Sequence, residues 1–201
     1  MRLFVAVDLS DEARQAIAVR QKLWAGRLSK SKDRLKLIEP SRMHLTLLFI
    51  GEVPEARVPA IVESMNAPAG MAPFDVMFGG VGVFPPRGAP RVLWIGITDG
   101  AARLERLQHE IAERVRSVDI AFDDRPFHPH LTLGRWRGDD RRRSTSVPGR
   151  HLRPRDVAAL ERSDRVACVR VTRATLYQSR LSSSGPAYTA LAHANLSEHN
   201  E

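Results

Sequence analysis

The stretch MHLTLLFI, residues 43–50, contains a tetrapeptide, His44-Leu45-Thr46-Leu47, that returns unchanged at His130-Leu131-Thr132-Leu133, 86 positions later. Alternation of polar and apolar residues over such a length marks a strand with one face in the core and the other on a groove or in water. In each copy the histidine and threonine fall on one face and the leucines on the other. Phe49 continues the apolar face, so Leu45, Leu47 and Phe49 are expected to point inward together. Pro40 and Pro126 each lie four residues ahead of the histidine, so the two strands share an entry as well as a core. If they lie in facing sheets, two imidazoles and two hydroxyls meet at one cleft.

Outward from these strands the chain alternates element types. Residues 2–8 read as a strand that ends at Asp8. Ser10 can then cap a helix whose first turn holds Asp11 and Glu12, with Ala13, Ala16, Ile17, Arg20 and Trp24 at helical spacing before Gly26. A short strand is expected around Leu35–Ile38, the first repeat strand over Met43–Ile50, and a helix over Glu55–Met65, with Pro59 favouring a late start. Strands follow at Phe74–Gly82 and Arg91–Thr98, separated by the stiff FPPRGAP loop. Leu104, Leu107, Ile111 and Val115 mark an amphipathic helix over residues 102–115. Phe127–Arg135 is the second repeat strand. Beyond it come a basic loop at 138–150, a short helix at 153–161, one strand over Val166–Gln178 and a last one near Tyr188–Ala192. This mixture gives an α+β fold in one body over residues 1–192, with a frayed tail at 193–201.

The length of 201 residues, with 43% hydrophobic, supports one substantial core. One cysteine cannot close an internal disulfide. The opening apolar run, Leu3–Val7, is too short for a signal peptide or a membrane span, so a soluble, cytoplasmic, monomeric protein is the expectation. The net charge is +8, and residues 135–173 hold twelve arginines against five acids. That field suits phosphates or RNA, and equally suits a solvated arginine-rich face.

Two histidines and two threonines facing one another fit phosphoryl transfer that needs no obligatory metal. Histidine titrates near neutrality, so one ring can accept a proton while the other donates one. Hydroxyls can hold the non-bridging oxygens and place phosphorus between the rings. Arg135 can meet charge that develops on the phosphoryl group.

With these residues in view, the chain resembles the two-histidine (2H) phosphoesterase superfamily. The resemblance is closer to its bacterial and archaeal RNA 2′,3′-cyclic phosphodiesterase branch, historically called 2′-5′ RNA ligase. Besides the paired His-x-Thr-x signature, the matching blocks are RLFVAVDL at 2–9, MHLTLLFIGEV at 43–53, FPPRGAPRVLWIG at 84–96, RPFHPHLTLGR at 125–135 and GPAYTAL at 185–191. The resemblance implies a bilobal fold of two antiparallel sheets backed by helices, with pseudo-twofold symmetry around a central cleft. It implies cofactor-free opening of a 2′,3′-cyclic phosphate on RNA ends or nucleotides, at the 3′ side, to a 2′-phosphomonoester. Some relatives also join RNA ends through a 2′-5′ linkage. By alignment, His130 takes the place of the ring that activates water, and His44 that of the ring that protonates the leaving 3′ oxygen. Thr46 and Thr132 take the phosphate-binding places, and Arg135 fits the arginine shortly after the second motif.

Other residues admit other readings. His128 with His130, Asp123 and Asp124 gives a thin metal set, which would suit a metal-dependent phosphohydrolase. A non-catalytic RNA-binding protein on the same fold is a further alternative. Phe4 and Trp136 could stack bases, whereas Phe49 and Trp94 are expected in the core. Tyr188 can reach the cleft or anchor a turn. Cys168 is expected to be buried, and His109, His193 and His199 have no catalytic context. GGVG at residues 79–82 lacks the lysine and the helix of a phosphate-binding loop.

Overall fold

The computed structural model describes residues 1–28, 35–86, 90–136, 165–182 and 185–197, which form two antiparallel sheets. The first joins β1 (Arg2–Val7), β3 (Leu45–Glu52), β8 (Arg173–Ser182) and β9 (Gly185–Asn195) in the order β3-β1-β8-β9. The second joins β2 (Leu35–Leu37), β4 (Phe74–Phe84), β5 (Val92–Asp99), β6 (Leu131–Trp136) and β7 (Ala167–Val171) in the order β2-β6-β5-β4-β7. Helix α1 (Asp11–Leu28) packs against β7, α2 (Val58–Asn66) against β9, and α3 (Ala101–Ser117) against β3 and α2. The α+β architecture of two helix-backed antiparallel sheets is the expected one. The basic segment 137–155, the helix expected at 153–161 and His199 lie outside the described residues.

The two repeats are built alike down to their irregularities. In the β1–β3 ladder Ala6 faces Thr46 and Val7 faces Leu45, but Val5 faces Leu48, so Leu47 is bulged out of the pairing. In the β5–β6 ladder Trp94 faces Thr132 and Ile95 faces Leu131, but Leu93 faces Gly134, so Leu133 is bulged in turn. The last leucine of each HLTL is therefore the extra residue of a bulge, which bends the strand directly after its threonine.

That bulge corrects one expectation. Alternation shifts by one after Leu47, so Leu47, Leu48 and Ile50 are all buried while Phe49 turns outward at 37% exposure. The Arg2 guanidinium lies over its ring, 5.0 Å from the centroid. Other boundaries move for equally local reasons. The Ser10 hydroxyl caps α1 as expected, accepting from the Ala13 N–H at 3.2 Å. The helix then runs through Gly26, because burial of Leu28 (6% exposed) offsets the roughly 1 kcal/mol that a helical glycine costs. α2 starts at Val58 after a 3-10 turn over Glu55–Arg57, with Pro59 in its first turn.

The single strand expected over 166–178 is two strands that belong to different sheets. The chain leaves β7 and enters β8 across Thr172, whose carbonyl accepts the Leu196 N–H at 2.8 Å. β7 buries Ala167, Val169 and Val171 and turns Cys168 and Arg170 outward, so Cys168 is exposed, contrary to its expected burial. β9 continues past Ala192 to Asn195, since Ala192, Ala194 and Leu196 extend the buried alternation.

Candidate active site

Each motif histidine sits one residue ahead of its strand, where the backbone carbonyl two residues back is within reach of the ring. His44 Nδ1 lies 2.9 Å from the Arg42 carbonyl, and His130 Nδ1 lies 2.6 Å from the His128 carbonyl. A carbonyl only accepts, so both rings donate from Nδ1, and Nε2 is the nitrogen left for chemistry. The two histidines thus have the same tautomer, fixed by the same i−2 bond.

Aromatic rings pack against each imidazole. Phe4 lies 4.9 Å and Tyr188 5.1 Å from the His44 ring, the latter edge-on. Phe84 lies 5.2 Å and Trp94 6.2 Å from the His130 ring, both edge-on. Burial among these rings pushes both histidines below their ordinary pKa of 6.5. The opposing influences differ. Around His44 the Arg42 carbonyl and the negative charge of Asp8 resist the fall. Around His130 the His128 carbonyl resists it, while the positive fields of Arg135 and His128 add to it.

Both histidines, Thr46, Thr132 and Arg135 line one cleft of about 360 Å³. All five expected site residues therefore meet there. Thr46 and Thr132 are half-buried on the same strand faces as their histidines, and Arg135 is exposed at the end of β6. Lys36, Glu39, Arg42 and Tyr188 line it as well. Lys36 faces Arg135 directly across the β2–β6 ladder.

Sequence reading missed several supporting residues. Phe84, read as loop, is the last residue of β4 and stacks on Trp94 at 5.2 Å. Trp94, expected in the core, is half-buried against His130. It fits because Gly82 and Gly96 leave room for its indole, where a Cβ on Gly96 would meet Trp94 Cζ3 at 3.2 Å. Gln21 of α1, only 2% exposed, donates its side-chain amide to the carbonyls of Ile38 (2.8 Å) and Leu133 (2.6 Å). It ties α1 to the junction of β2 and β6 beside Thr132. Only the register could have revealed these roles.

Of the aromatics offered for base stacking, Phe4 is 4% exposed behind His44, and Trp136 is half-buried opposite Leu35 of β2. Asp8, Thr175, Tyr177 and His193 form a further polar cluster. Asp8 accepts from Thr175 Oγ1 at 2.9 Å and from the Tyr177 hydroxyl. His193 Nδ1 lies 3.1 Å from Thr175 Oγ1. Burial, reinforced by the bond to Asp8, pushes the Tyr177 phenol up to about 12. The thin metal set disperses: Arg125 engages the Asp123 carboxylate and holds it below the usual range. Among the described residues no group of three or more His, Cys, Asp or Glu is placed to hold a metal ion.

Comparison with known proteins adds an independent line. A sequence model of the 2′-5′ RNA ligase superfamily matches residues 5–181. A protein of Archaeoglobus fulgidus named RNA 2′,3′-cyclic phosphodiesterase is 34% identical over 191 residues, covering 95% of this chain and 98% of the relative. A solved structure from Thermus thermophilus superposes with a TM-score of 0.73 at 30% identity, over 100% of both chains. Escherichia coli LigT complexed with 3′-AMP superposes with a TM-score of 0.69 at 25% identity, over 98% of both chains.

Proposed function

This chain belongs to the 2′-5′ RNA ligase superfamily, the two-histidine phosphoesterases, and from that premise we propose that it hydrolyses RNA 2′,3′-cyclic phosphate ends at the 3′ side. The observation that carries the reading is the pair of imidazoles pinned through Nδ1 in one cleft with two threonine hydroxyls. Water attacks phosphorus, and His130 Nε2 takes its proton as the P–O bond forms. The P–O3′ bond breaks on the far side, and the proton on His44 Nε2 passes to the leaving oxygen. The products are a 2′-phosphomonoester and a free 3′-hydroxyl, and exchange with water resets both rings.

The surroundings support this division of roles. A base must be neutral when substrate arrives, and the positive fields of Arg135 and His128 favour neutral His130. An acid must be protonated, and Asp8 favours protonated His44 against the effect of burial. Thr46, Thr132 and Arg135 hold the equatorial oxygens and meet the developing charge. Offered an RNA hydroxyl in place of water, the same site would join it to the cyclic end, the sense of 2′-5′ ligation.

The test is incubation of the chelator-treated protein with a nucleoside 2′,3′-cyclic phosphate and with an RNA ending in one, resolving 2′- from 3′-phosphate. Exclusive 2′-phosphate is expected, and its loss in His44→Ala and His130→Ala, both folded. Exclusive 3′-phosphate would reverse the leaving-group assignment. RNA binding without product would put the non-catalytic reading ahead, and activity that returns only with added metal would replace the mechanism.

A further inference from the structure

The two half-sites repeat one another except on one rung. Extending the β1–β3 pairing by one step beyond Val7–Leu45 sets Asp8 opposite His44. Extending the β5–β6 pairing by one step beyond Ile95–Leu131 sets Gly96 opposite His130. The equivalent positions therefore carry a carboxylate in one half and no side chain in the other, where the Trp94 indole takes the space. Asp8 lies on the same face of β1 as Ala6, which pairs with Thr46, so it shares the cleft-side face with the His44–Thr46 pair.

We infer that Asp8 is a positioning residue that makes His44 the proton donor, and that the Asp8/Gly96 difference assigns opposite roles to two otherwise matching histidines. The inference rests on the reaction proposed above. Two hydroxyls hold the carboxylate: Thr175 and Tyr177 lie on the neighbouring β8 opposite Ala6 and Phe4, and each donates to one oxygen of Asp8. Both acceptor oxygens are thereby fixed, and Tyr177 stacks on Phe4, which lies against the His44 ring. The sequence of contacts is continuous from carboxylate to imidazole.

Among the described residues no other group set against His44 can play this part. Arg42 on its own turn is cationic, and Tyr177 on β8 and Tyr188 on β9 are held neutral by burial. His193 on β9 reaches Asp8 only through Thr175. Across the cleft stand His130 and Arg135, and Arg173 lies 4.0 Å from Asp8. Among the described residues that line the cleft, Glu39 carries a carboxylate, and it is exposed on the rim, where water screens it.

The experiment is the pH profile of kcat/KM for cyclic phosphate hydrolysis in wild type and Asp8→Asn, beside an imidazole NMR titration of both free proteins. The alkaline limb, which reports the acid, is expected to move about one unit to lower pH, as for loss of an opposite charge at cross-strand distance. Activity above both limbs then falls about tenfold, and the acidic limb stays in place. In the titration His44 shifts down and His130 does not. Tyr177→Phe removes a hydrogen bond and keeps the charge, so its alkaline limb should match wild type. An unmoved His44 in folded Asp8→Asn, or a shift as large in Tyr177→Phe, overturns the inference. The titration needs no turnover, so failure of the proposed reaction and failure of the Asp8 role are read separately.

Discussion

Replacing Gly82 by alanine tests whether the half-site around His130 depends on close packing behind the ring. Gly82 faces Trp94 across the β4–β5 ladder, and a methyl there would overlap Cζ2, Cη2 and Cε2 of the indole. Carbon atoms rest at about 3.5–4.0 Å, so the indole must retreat by about 1.5 Å. It cannot move without disturbing the site, because Phe84 stacks on it at 5.2 Å and His130 stands at its edge. Overpacking of this kind destabilises by about 1–3 kcal/mol. A displacement of about 1 Å at a reacting group lowers the rate by about 100-fold. The expected result for Gly82→Ala is a lowered urea midpoint and a kcat down by about two orders of magnitude, with KM little changed. Adding Trp94→Phe should recover part of both losses, because the smaller ring clears the methyl and the indole N–H it removes has no hydrogen-bond partner. Initial rates on a nucleoside 2′,3′-cyclic phosphate and urea denaturation measure these quantities. A Gly82→Ala protein with wild-type kcat and stability would refute the packing argument, and a double variant no better than the single one would refute its cause.

Gln21→Leu keeps the volume in α1 but removes two hydrogen bonds, each worth about 0.5–1.5 kcal/mol net, so unfolding free energy should fall by about 2 kcal/mol in urea titrations. Thr132→Val and Thr46→Val each delete one hydroxyl from the cleft, and a bond to a charged phosphate is worth about 1.5–3 kcal/mol, so kcat/KM should drop about 10- to 100-fold in each. Two histidines with pKa values depressed below 6.5 also couple folding to pH. The unfolded chain takes up their protons first as pH falls, so the stability they preserve is complete above about pH 6.5 and is lost below it. Urea midpoints measured from pH 7.5 to 5 should therefore decline less steeply in a His44→Gln/His130→Gln double variant; an identical decline would show that burial of these rings is not what couples folding to pH.

The repeated HLTL makes the pair of half-sites legible, because alternation separates His44 and Thr46 from the leucines without any knowledge of the sheets. Alternation fails where a ladder breaks. The bulges at Leu47 and Leu133 lie inside runs that look regular, and only the pairing with β1 and β5 reveals them, which is why Phe49 sits on the face opposite to the one alternation assigns. The continuous pattern of residues 166–178 conceals a change of sheet at Thr172 for the same reason. Trp94 reads as core in an apolar strand, yet the missing side chains of Gly82 and Gly96 leave room for its indole, which meets the His130 ring edge-on. Asp8 reads as a strand terminator, and its meaning depends on the partner it meets one rung past the last paired residues. What the sequence hides in each case is long-range register.

The passage across Thr172 has a mechanical consequence. A hinge needs residues whose dihedral angles can swing, and the β7–β8 crossing, one of several between the sheets, is one residue long and tethered to Leu196. β3 of one sheet also touches β6 of the other, so the two motif strands brace one another directly. Among the described residues, then, the spacing of the two half-sites is set like a caliper by strand-to-strand contact.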